Sequence, residues 1–164
     1  MLFTFYLLIV ILNEQIIQHL YTSFQKKDFK SMQQCYADNA TFNDPVFTNL
    51  NATQVRAMWE MFCVKSRDLK IEFGNIHATE KKGSASWVAT YLFSSTGKKV
   101  VNHITAHFTF ENGKIKQHTD AFNFYKWCKQ ALGVTGLLLG WTPLIKNKVR
   151  DKGMKALNEY MLKK

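Results

Sequence analysis

The hydrophobic pattern of the chain changes its period once, close to Arg67, and this change limits the folds that the chain can adopt. Before this point apolar residues recur every three or four positions, as on one face of a helix, whereas after it they alternate with polar residues, as in strands. Asn112 and Gly113 tolerate the positive φ of a tight hairpin turn between two alternating runs. The pattern predicts strands at residues 69–73, 87–93, 100–110 and 114–122.

The part before the change predicts three helices, with a short strand between the second and the third. Residues 13–26 carry a one-sided apolar stripe, Asp28 is placed to cap a second helix, and Asn51 or Thr53 starts a third. Residues 40–45 form the short strand. Helices followed by strands in hairpin order predict an α+β fold, in which a curved antiparallel sheet wraps around the helices and encloses a conical cavity. The alternative is that this cavity is filled core.

Composition agrees with one globular domain. The 164 residues are enough for one ordinary domain, and 46% of them are hydrophobic. The net charge of +10 suggests nucleic acid as a partner. Half of this charge, however, lies in residues 144–164, which contain seven cations and only two acidic residues, Asp151 and Glu159. The basic residues therefore form an appendage, and we expect no binding to nucleic acid.

The three cysteines, Cys35, Cys63 and Cys128, are far apart and form no C-x-x-C pair. We therefore expect neither a disulfide framework nor a thiolate metal site. Reduced cysteines of this kind are typical of a cytoplasmic protein.

The first twelve residues form an apolar run that is too short to span a bilayer, which takes about 20 residues. The run also lacks the basic start and the small-residue cleavage site of a signal peptide. A helix extension packed on the domain or on a partner, or a start codon assigned too early, fits best, while a membrane anchor or a secretion signal stays open. The chain then divides into an apolar extension at 1–12, a main domain at 13–129 and a C-terminal segment at 130–164.

The most informative motif is YADNATFNDP at residues 36–45. It resembles the segment that follows the second helix of ketosteroid isomerases, where tyrosine, alanine and an acid precede a strand that ends in Asp-Pro. Similar segments occur in SnoaL-like polyketide cyclases. Over residues 13–129 the chain thus resembles the nuclear transport factor 2-like superfamily, as a SnoaL-like or ketosteroid isomerase-like member. The resemblance implies a cystatin-like, cone-shaped fold, one pocket for a small hydrophobic ligand, and a homodimer.

Asp44 is the first candidate site residue, because the resemblance gives it the role of the general base. A carboxylate at the end of a strand, between Phe42 and Phe47, is also partly desolvated. Desolvation raises the pKa of a carboxyl group and makes it a better proton acceptor near neutral pH. The alternative is an exposed turn residue ahead of Pro45.

Two departures argue against ketosteroid isomerase activity. The positions that would supply the two oxyanion donors of that enzyme fall on Leu20 and Ala106, and Tyr21 lies one residue away, about 100° around the helix. Without those donors, the sequence shows no group that would stabilise an enolate. We therefore do not expect this activity.

His118 and Asp120 are the second candidate, because residues two apart on a strand share a face. The count that turns Ala106 inward also turns both of them inward, and many SnoaL-like relatives carry a similar pair. Asp120 would hold His118 in one tautomer, or His118 would keep Asp120 ionised, for acid/base work. The alternative is a buried polar pair that supports the structure or orients a ligand. His103 and His107 fall on the opposite, convex side, through which relatives often dimerise.

Six further residues are predicted to shape the pocket wall, with aromatic rings for apolar contact and one amide for a hydrogen bond. They are Tyr21, Trp59, Phe62, Tyr91, Asn102 and Phe122. The glycine-rich residues 130–143 are expected to fold over the cavity mouth or over a partner subunit. For the basic helix that follows, a solvated or packed face is the more common role, and contact with anionic lipid is the alternative.

These features predict a SnoaL-like pocket protein, and they leave three hypotheses for its function. The first is a metal-free, cofactor-independent enzyme of the isomerase, cyclase or hydrolase type that transfers a proton on a small hydrophobic compound. Asp44 would be its base, and His118 with Asp120 its partner acid or orienting pair. The second is a non-catalytic module that binds a small ligand or scaffolds an assembly. The third, a membrane-surface protein, rests only on the apolar N-terminal run and the basic C-terminal helix.

Overall fold

The computed structural model describes residues 2–163, with side chains from residue 10 onward. In this part of the chain the elements are α1 (Leu2–Gln25), α2 (Phe29–Gln34), β1 (Tyr36–Asn43), α3 (Ala52–Lys65), β2 (Lys70–Ala78), β3 (Lys82–Phe93), β4 (Lys98–Glu111), β5 (Lys114–Ala121), α4 (Phe124–Leu132), α5 (Val134–Leu139) and α6 (Pro143–Leu162). Three helices with a strand among them, followed by four strands, confirm the predicted α+β fold.

The five strands form one curved sheet in the order β1-β5-β4-β3-β2. Strands β2 to β5 pair antiparallel in succession, and Asn112 and Gly113 lie in the last turn with positive φ. Strand β1 instead pairs with β5 in the parallel sense, with Phe42 beside His118. No hairpin joins these two strands, so no turn forces them to run antiparallel. The sheet is therefore mixed.

Helices α1 and α3 pack on the sheet, and α2 packs between them. Asp28 caps α2 by accepting from the backbone N–H of Ser31, and Asn51 forms a capping box with Gln54 at the start of α3. Aromatic side chains fill the main core between helices and sheet. Burying one such side chain contributes about 1.5–3 kcal/mol, so this core carries much of the stability.

Helix α1 is continuous, so the predicted boundary at residue 12 does not break it. Asn13 ties the helix to the turn between β2 and β3, because its buried amide donates to the carbonyls of Thr79 and Glu80. The side chains of residues 1–9 lie outside the described residues, and with them most of the predicted extension. No helix in the described part of the chain is long and apolar enough to cross a membrane.

The C-terminal helices cover the end of the sheet at which β1 and β5 end. Ile145 of α6 joins a second core, whose other buried members are Val100, Trp127, Cys128 and Ala131. Farther along α6, Leu157 is fully buried in the main core, and Nε of Arg150 donates to the carbonyl of Pro45 (3.0 Å). Much of the apolar side of α6, with Ile145 and Leu157 at its centre, is therefore packed against the protein.

The three cysteines are free thiols buried in the fold. Burial raises the pKa of Cys35, Cys63 and Cys128 to about 11. At neutral pH they are thiols, and the reactive thiolate form is scarce.

Candidate functional site

A line of hydrogen-bonded side chains crosses the main core from α3 through β1 and β5 to β3. Nε1 of Trp59 donates to the Tyr36 hydroxyl (2.8 Å), which lies 2.7 Å from Nδ1 of His118. On the other side of the ring, Nε2 of His118 lies 3.0 Å from Oδ1 of Asp120. Nε1 of Trp87 donates to the same oxygen (3.2 Å). All five residues are buried.

The register of the strands brings this line together. His118 and Asp120 face inward on β5, where His118 lies opposite Phe108 of β4 and Asp120 opposite Ala106. Tyr36 opens β1 and reaches the histidine because β1 runs parallel beside β5. The parallel pairing therefore completes the line on one side.

One arrangement of protons satisfies the line when His118 is neutral and Asp120 is ionised. Nε2 of His118 then donates to Asp120, so Nδ1 accepts from the Tyr36 hydroxyl, whose oxygen accepts from Trp59. Burial, with a smaller effect of the Asp120 charge, raises the pKa of Tyr36 well above its usual value, so this hydroxyl keeps its proton. In this arrangement Asp120 fixes the tautomer of the histidine.

Aromatic rings enclose the imidazole of His118. Between ring centroids, Phe108 lies 4.4 Å away, Phe42 5.0 Å and the stacked Trp59 5.9 Å. The imidazole is completely buried, and both of its nitrogens are used. His118 is thus placed to orient Asp120, and it is not placed to contact a ligand itself.

Asp120 and Tyr21 keep hydrogen-bonding capacity that no described residue uses. Both bonds to Asp120 end on Oδ1, so Oδ2 has no partner among the described side chains. The buried Tyr21 hydroxyl is unpartnered as well, and burial together with the Asp120 charge raises its pKa, which keeps it a donor. A buried polar group without a partner costs roughly 1–3 kcal/mol. This part of the core is therefore suited to a polar atom of a ligand or a water molecule.

Asp44 lies directly after β1, in a turn that its own side chain holds. Its Oδ1 accepts from the backbone N–H groups of Val46 (2.6 Å) and Phe47. Burial nevertheless raises the pKa of this carboxyl to about 7, against the lowering effect of those two bonds. The charge of Asp120 adds to the rise, and Arg150 of α6 opposes it. Asp44 therefore takes up and releases protons near neutral pH.

The sequence matches the family model described as the SnoaL-like domain over residues 17–118. This chain belongs to the SnoaL-like domain family. The matched stretch contains Tyr36, Asp44 and His118, and it ends two residues before Asp120. No curated protein matches the sequence significantly.

Solved structures of low sequence identity share the fold of this SnoaL-like domain. An LEH-like epoxide hydrolase from M. tuberculosis gives a TM-score of 0.64 at 14% identity, over 79% of this chain and 97% of that one. IdmH from Streptomyces antibioticus, a candidate polyketide cyclase, gives 0.62 at 18%, over 74% and 99%. A protein of ketosteroid isomerase-like fold from Catenulispora acidiphila, solved with trimethylamine, gives 0.63 at 10%, over 78% and 97%. These likenesses show the nuclear transport factor 2-like fold.

In the SnoaL-like domain, Phe62 and Tyr91 are half-buried, whereas Trp59 lies deeper as part of the buried line. Phe62 packs edge-on against Trp59, with 6.1 Å between ring centroids. The Tyr91 hydroxyl accepts from Nε1 of Trp127 (2.8 Å). Burial raises the pKa of Tyr91, and the charge of Asp44 adds to the rise, so these two residues lie within electrostatic range of each other.

Asn102 and Phe122 are half-buried near the end of the sheet that the C-terminal helices cover. Phe122 packs against both cores. Asn102 follows the inward alternation of β4, but no hydrogen bond in the described chain joins its side chain to Asp44 or Asp120. In contrast, the charge of Asp120 acts on Asp44, and the charge of Asp44 acts on Tyr91.

Sequence reasoning missed Tyr36 and Trp87 as members of the buried line. Tyr36 opens the YAD motif, which was a signal, but its reach to His118 depends on the parallel pairing of β1 with β5. The motif count was also misleading on α1. Leu20 and Tyr21 are both fully buried, so the first helix does supply a buried hydroxyl donor to the interior.

His103 and His107 are exposed on the opposite face of β4 from Ala106, away from the buried line. Within the described residues, no group of three or more His, Cys, Asp or Glu side chains is placed to hold a metal ion. Two surface clefts, of about 800 and 550 Å³, are lined by neither Asp44 nor Asp120.

Proposed function

We propose that this SnoaL-like domain is a cofactor-independent enzyme that transfers a proton on a small hydrophobic compound with a carbonyl or hydroxyl group. One observation carries the proposal. Asp120 is held at Oδ1 by Trp87 and His118, while its Oδ2 and the Tyr21 hydroxyl have no described partner in the same aromatic interior. The likeness to an epoxide hydrolase and to a candidate polyketide cyclase agrees with this class of chemistry.

Asp44 is the base in this proposal. With a pKa of about 7, a large fraction of its carboxyl is ionised near neutral pH, and the protonated form is still acidic enough to give the proton back. The proton leaves a carbon or oxygen atom of the ligand for the Asp44 carboxylate, and it returns from there to the product. The same group therefore serves both half-steps without a cofactor.

Tyr21 and Asp120 hold the reacting oxygen of the ligand. The Tyr21 hydroxyl donates to the oxygen on which negative charge develops, and Oδ2 of Asp120 accepts from a hydroxyl of the ligand or from a water molecule. Loss of one positioned donor of this kind lowers turnover by about 10²–10³-fold. His118 is a positioning residue, because its buried ring acts on the ligand only through Asp120.

A non-catalytic binding module is the second candidate, and the turn geometry of Asp44 favours it. Oδ1 of Asp44 accepts from two backbone N–H groups of its own turn, which gives this carboxyl a structural task in the absence of any ligand. The interior would then bind a small molecule without turnover. The Catenulispora acidiphila protein of this fold was solved with such a molecule, trimethylamine.

We further propose that the protein is a cytoplasmic homodimer that pairs through the outer face of the sheet. The outward positions within residues 84–92 of β3, 101–109 of β4 and 117–121 of β5 include no Lys, Arg, Asp or Glu, although 21% of the chain is charged. Apart from His103 and His107, this face carries uncharged side chains, most of them small, and such a face suits contact with a second copy of itself. The free cysteines agree with a reducing compartment.

Asp44→Asn tests the enzyme proposal. The amide keeps the shape of the side chain and still accepts from the turn, but it cannot take a proton. The purified chain is incubated in D₂O with a panel of small hydrophobic ketones, and NMR measures deuterium incorporation at the carbon next to the carbonyl. We expect exchange by the parent and a loss of about 10²–10⁴-fold in the variant, with ketone binding retained.

Asp38→Asn is the matched control, because Asp38 is exposed and pairs with Arg56 at 3.3 Å. This variant should exchange deuterium as the parent does. If the parent binds the ketones without exchange, the binding module replaces the enzyme as the function. If exchange survives Asp44→Asn, Asp44 is not the base.

A further inference from the structure

Exposed apolar side chains are concentrated around α5. Of the eleven large apolar side chains that are well exposed in the described part of the chain, six lie between residues 134 and 144. They are Val134, Leu137, Leu138, Leu139, Trp141 and Leu144, and we call them the α5 patch. Trp141 is 71% exposed and Leu138 is 63% exposed. A cluster of this size on a surface marks a binding site for an apolar partner.

Helix α5 is oriented opposite to an ordinary surface helix, which turns its leucines to the core. Its inward residue is Gly136, where an added Cβ would lie only 1.9 Å from the backbone oxygen of Cys128 in α4. Gly140 is also buried, and an added Cβ there would lie 2.7 Å from Cβ of Cys128. Because glycines allow this close approach, α5 lies flat on α4 and its leucines have no space beneath it.

Hydrogen bonds hold the patch in this outward orientation. The Tyr125 hydroxyl of α4 donates to the carbonyl of Leu137 (2.9 Å). Nε1 of Trp141 donates to the carbonyl of Leu138 (3.1 Å), which fixes the indole beside the helix. The patch is thus built into the fold, and it does not need a rearrangement to become exposed.

Cations flank the patch along the chain, and acidic residues are missing from this part of the sequence. Residues 121–150 include no Asp or Glu. Their cations are Lys126, Lys129, Lys146, Lys148 and Arg150. Lys98, the first residue of β4, lies with its side chain against Gly133 at the start of α5. An apolar patch with a cationic border is complementary to a surface that is negatively charged outside and apolar beneath.

We propose that the α5 patch docks on the surface of an anionic phospholipid bilayer. Trp141 and the leucines enter the boundary between headgroups and acyl chains, and the surrounding lysines contact the anionic headgroups. This site includes Leu144 at the start of α6, but it does not use the apolar side farther along that helix, where Ile145 and Leu157 are packed against the protein. It also does not depend on the chemistry proposed for Asp44 and Asp120.

A second copy of the chain is a poorer occupant for the same surface. Two α5 patches that met face to face would bring their lysine borders together, with no acidic residue from 121–150 to pair with them. Like charges in contact oppose association. Charge therefore favours the anionic bilayer over self-association at this site.

Vesicle sedimentation with the full chain tests the proposal. We expect binding to phosphatidylcholine vesicles that contain phosphatidylserine, weaker binding to pure phosphatidylcholine, and a decrease as salt screens the headgroup charge. Trp141→Glu and Leu138→Glu should each reduce binding at least about tenfold, because a carboxylate leaves water only at high cost. Val64→Glu is the matched control: Val64 is 59% exposed on α3, outside the patch, and its change should leave binding intact.

Tryptophan fluorescence gives a second readout. Trp59, Trp87 and Trp127 are buried, so a blue shift on adding anionic vesicles reports Trp141. The shift should be absent in Trp141→Phe, which keeps an apolar ring and should still sediment with vesicles. The proposal is overturned if the parent does not bind anionic vesicles. It is also overturned if both glutamate variants, shown to be folded by circular dichroism, bind as the parent does. Concentration-dependent self-association that Trp141→Glu abolishes, without vesicle binding, would overturn it in favour of a second copy.

Discussion

Nε2 of His118 and Oδ1 of Asp120 lie 3.0 Å apart, and the Tyr36 hydroxyl occupies the other ring nitrogen of the histidine. Because no part of His118 is exposed, the proposal gives this histidine an influence on a ligand only through Asp120. Substitutions can therefore separate its role from that of its partners. In the proposed site, a change at Asp120 would act on the ligand and on the histidine, whereas a change at Tyr36 would act on the histidine and on Trp59 but not on the ligand directly.

Asp120→Asn should release the tautomer of His118 and lower stability. The amide offers one acceptor atom and adds an N–H group that needs a partner in a buried place, at a cost of about 1–3 kcal/mol. Imidazole ¹⁵N shifts from NMR measure the tautomer, and urea unfolding measures the free energy. In the exposed control Asp38→Asn, the free energy of unfolding should change by at most about 0.5 kcal/mol, and the imidazole ¹⁵N shifts of His118 should stay as in the parent. An unchanged His118 spectrum in Asp120→Asn would contradict the assigned hydrogen bond.

Tyr21→Phe and Tyr36→Phe should have opposite effects on stability. The Tyr21 hydroxyl is buried without a described partner, so its removal is expected to leave the free energy of unfolding unchanged or raise it by about 1 kcal/mol. Removal of the Tyr36 hydroxyl leaves Nε1 of Trp59 and Nδ1 of His118 without a partner, and this should lower the free energy of unfolding by about 1–3 kcal/mol. Ketone binding should weaken in Tyr21→Phe. Equal losses of stability in both variants would show that Tyr21 has a partner in solution.

Asp44 should make the stability of the protein depend on pH. Its pKa is about 7 in the fold against an ordinary value of 3.8, so between these values the folded state holds a proton that the unfolded chain has released. The contribution of Asp44 to stability is thus complete below about pH 4 and lost as the pH rises through about 7. Urea unfolding from pH 5 to pH 8 should show Asp44→Asn gaining stability relative to the parent. Parallel pH profiles of the two proteins would refute the raised pKa.

Leu157→Ala tests whether α6 is an integral part of the fold, and with it the proposed separation of residues 130–164 from the main domain. Leu157 is fully buried in the main core, so the variant should lose about 2–5 kcal/mol. Leu162→Ala is the control, because Leu162 is 87% exposed and its loss should change stability by at most about 0.5 kcal/mol. Thermal unfolding of both variants gives the comparison. A small effect of Leu157→Ala would mean that α6 detaches readily.

Thr105→Lys tests the proposed homodimer. Thr105 is exposed at the middle of the outer face of β4, and a two-fold axis there would bring both new lysines close together. Sedimentation velocity should show a dimer for the parent and a monomer for this variant. Thr48→Lys adds the same charge in the loop between β1 and α3 and should leave the dimer intact. A monomeric parent would refute the dimer directly.

Much of the fold is predictable because alternation, turn residues and helix caps depend on neighbouring positions. Asn112 and Gly113 specify the last hairpin, and Asp28 and Asn51 cap their helices as predicted. The parallel pairing of β1 with β5 is different, since α3 and three strands separate the two and no turn records their approach. It arises from packing of the whole domain.

The candidate site likewise has features that strand alternation predicts and features that depend on the packing of the whole domain. The inward faces of His118 and Asp120 follow from strand alternation, but the indole of Trp87 meets Asp120 only through the register across β3, β4 and β5. Tyr21 shows the limit of counting along a helix. Because α1 is enclosed on more than one side, a rotation of 100° from Leu20 still leads into the core.

The reactivity of the three buried thiols measures how often the structure around each of them opens. With a pKa of about 11, Cys35, Cys63 and Cys128 react with an alkylating reagent only when the surrounding structure opens. Cys128 lies beneath α5, so its labelling rate measures how often the C-terminal helices lift away. Cys63 lies in α3, and its rate measures opening of the helical layer over the main core. Comparing the two rates in one unmodified chain would show which of the two layers opens more often.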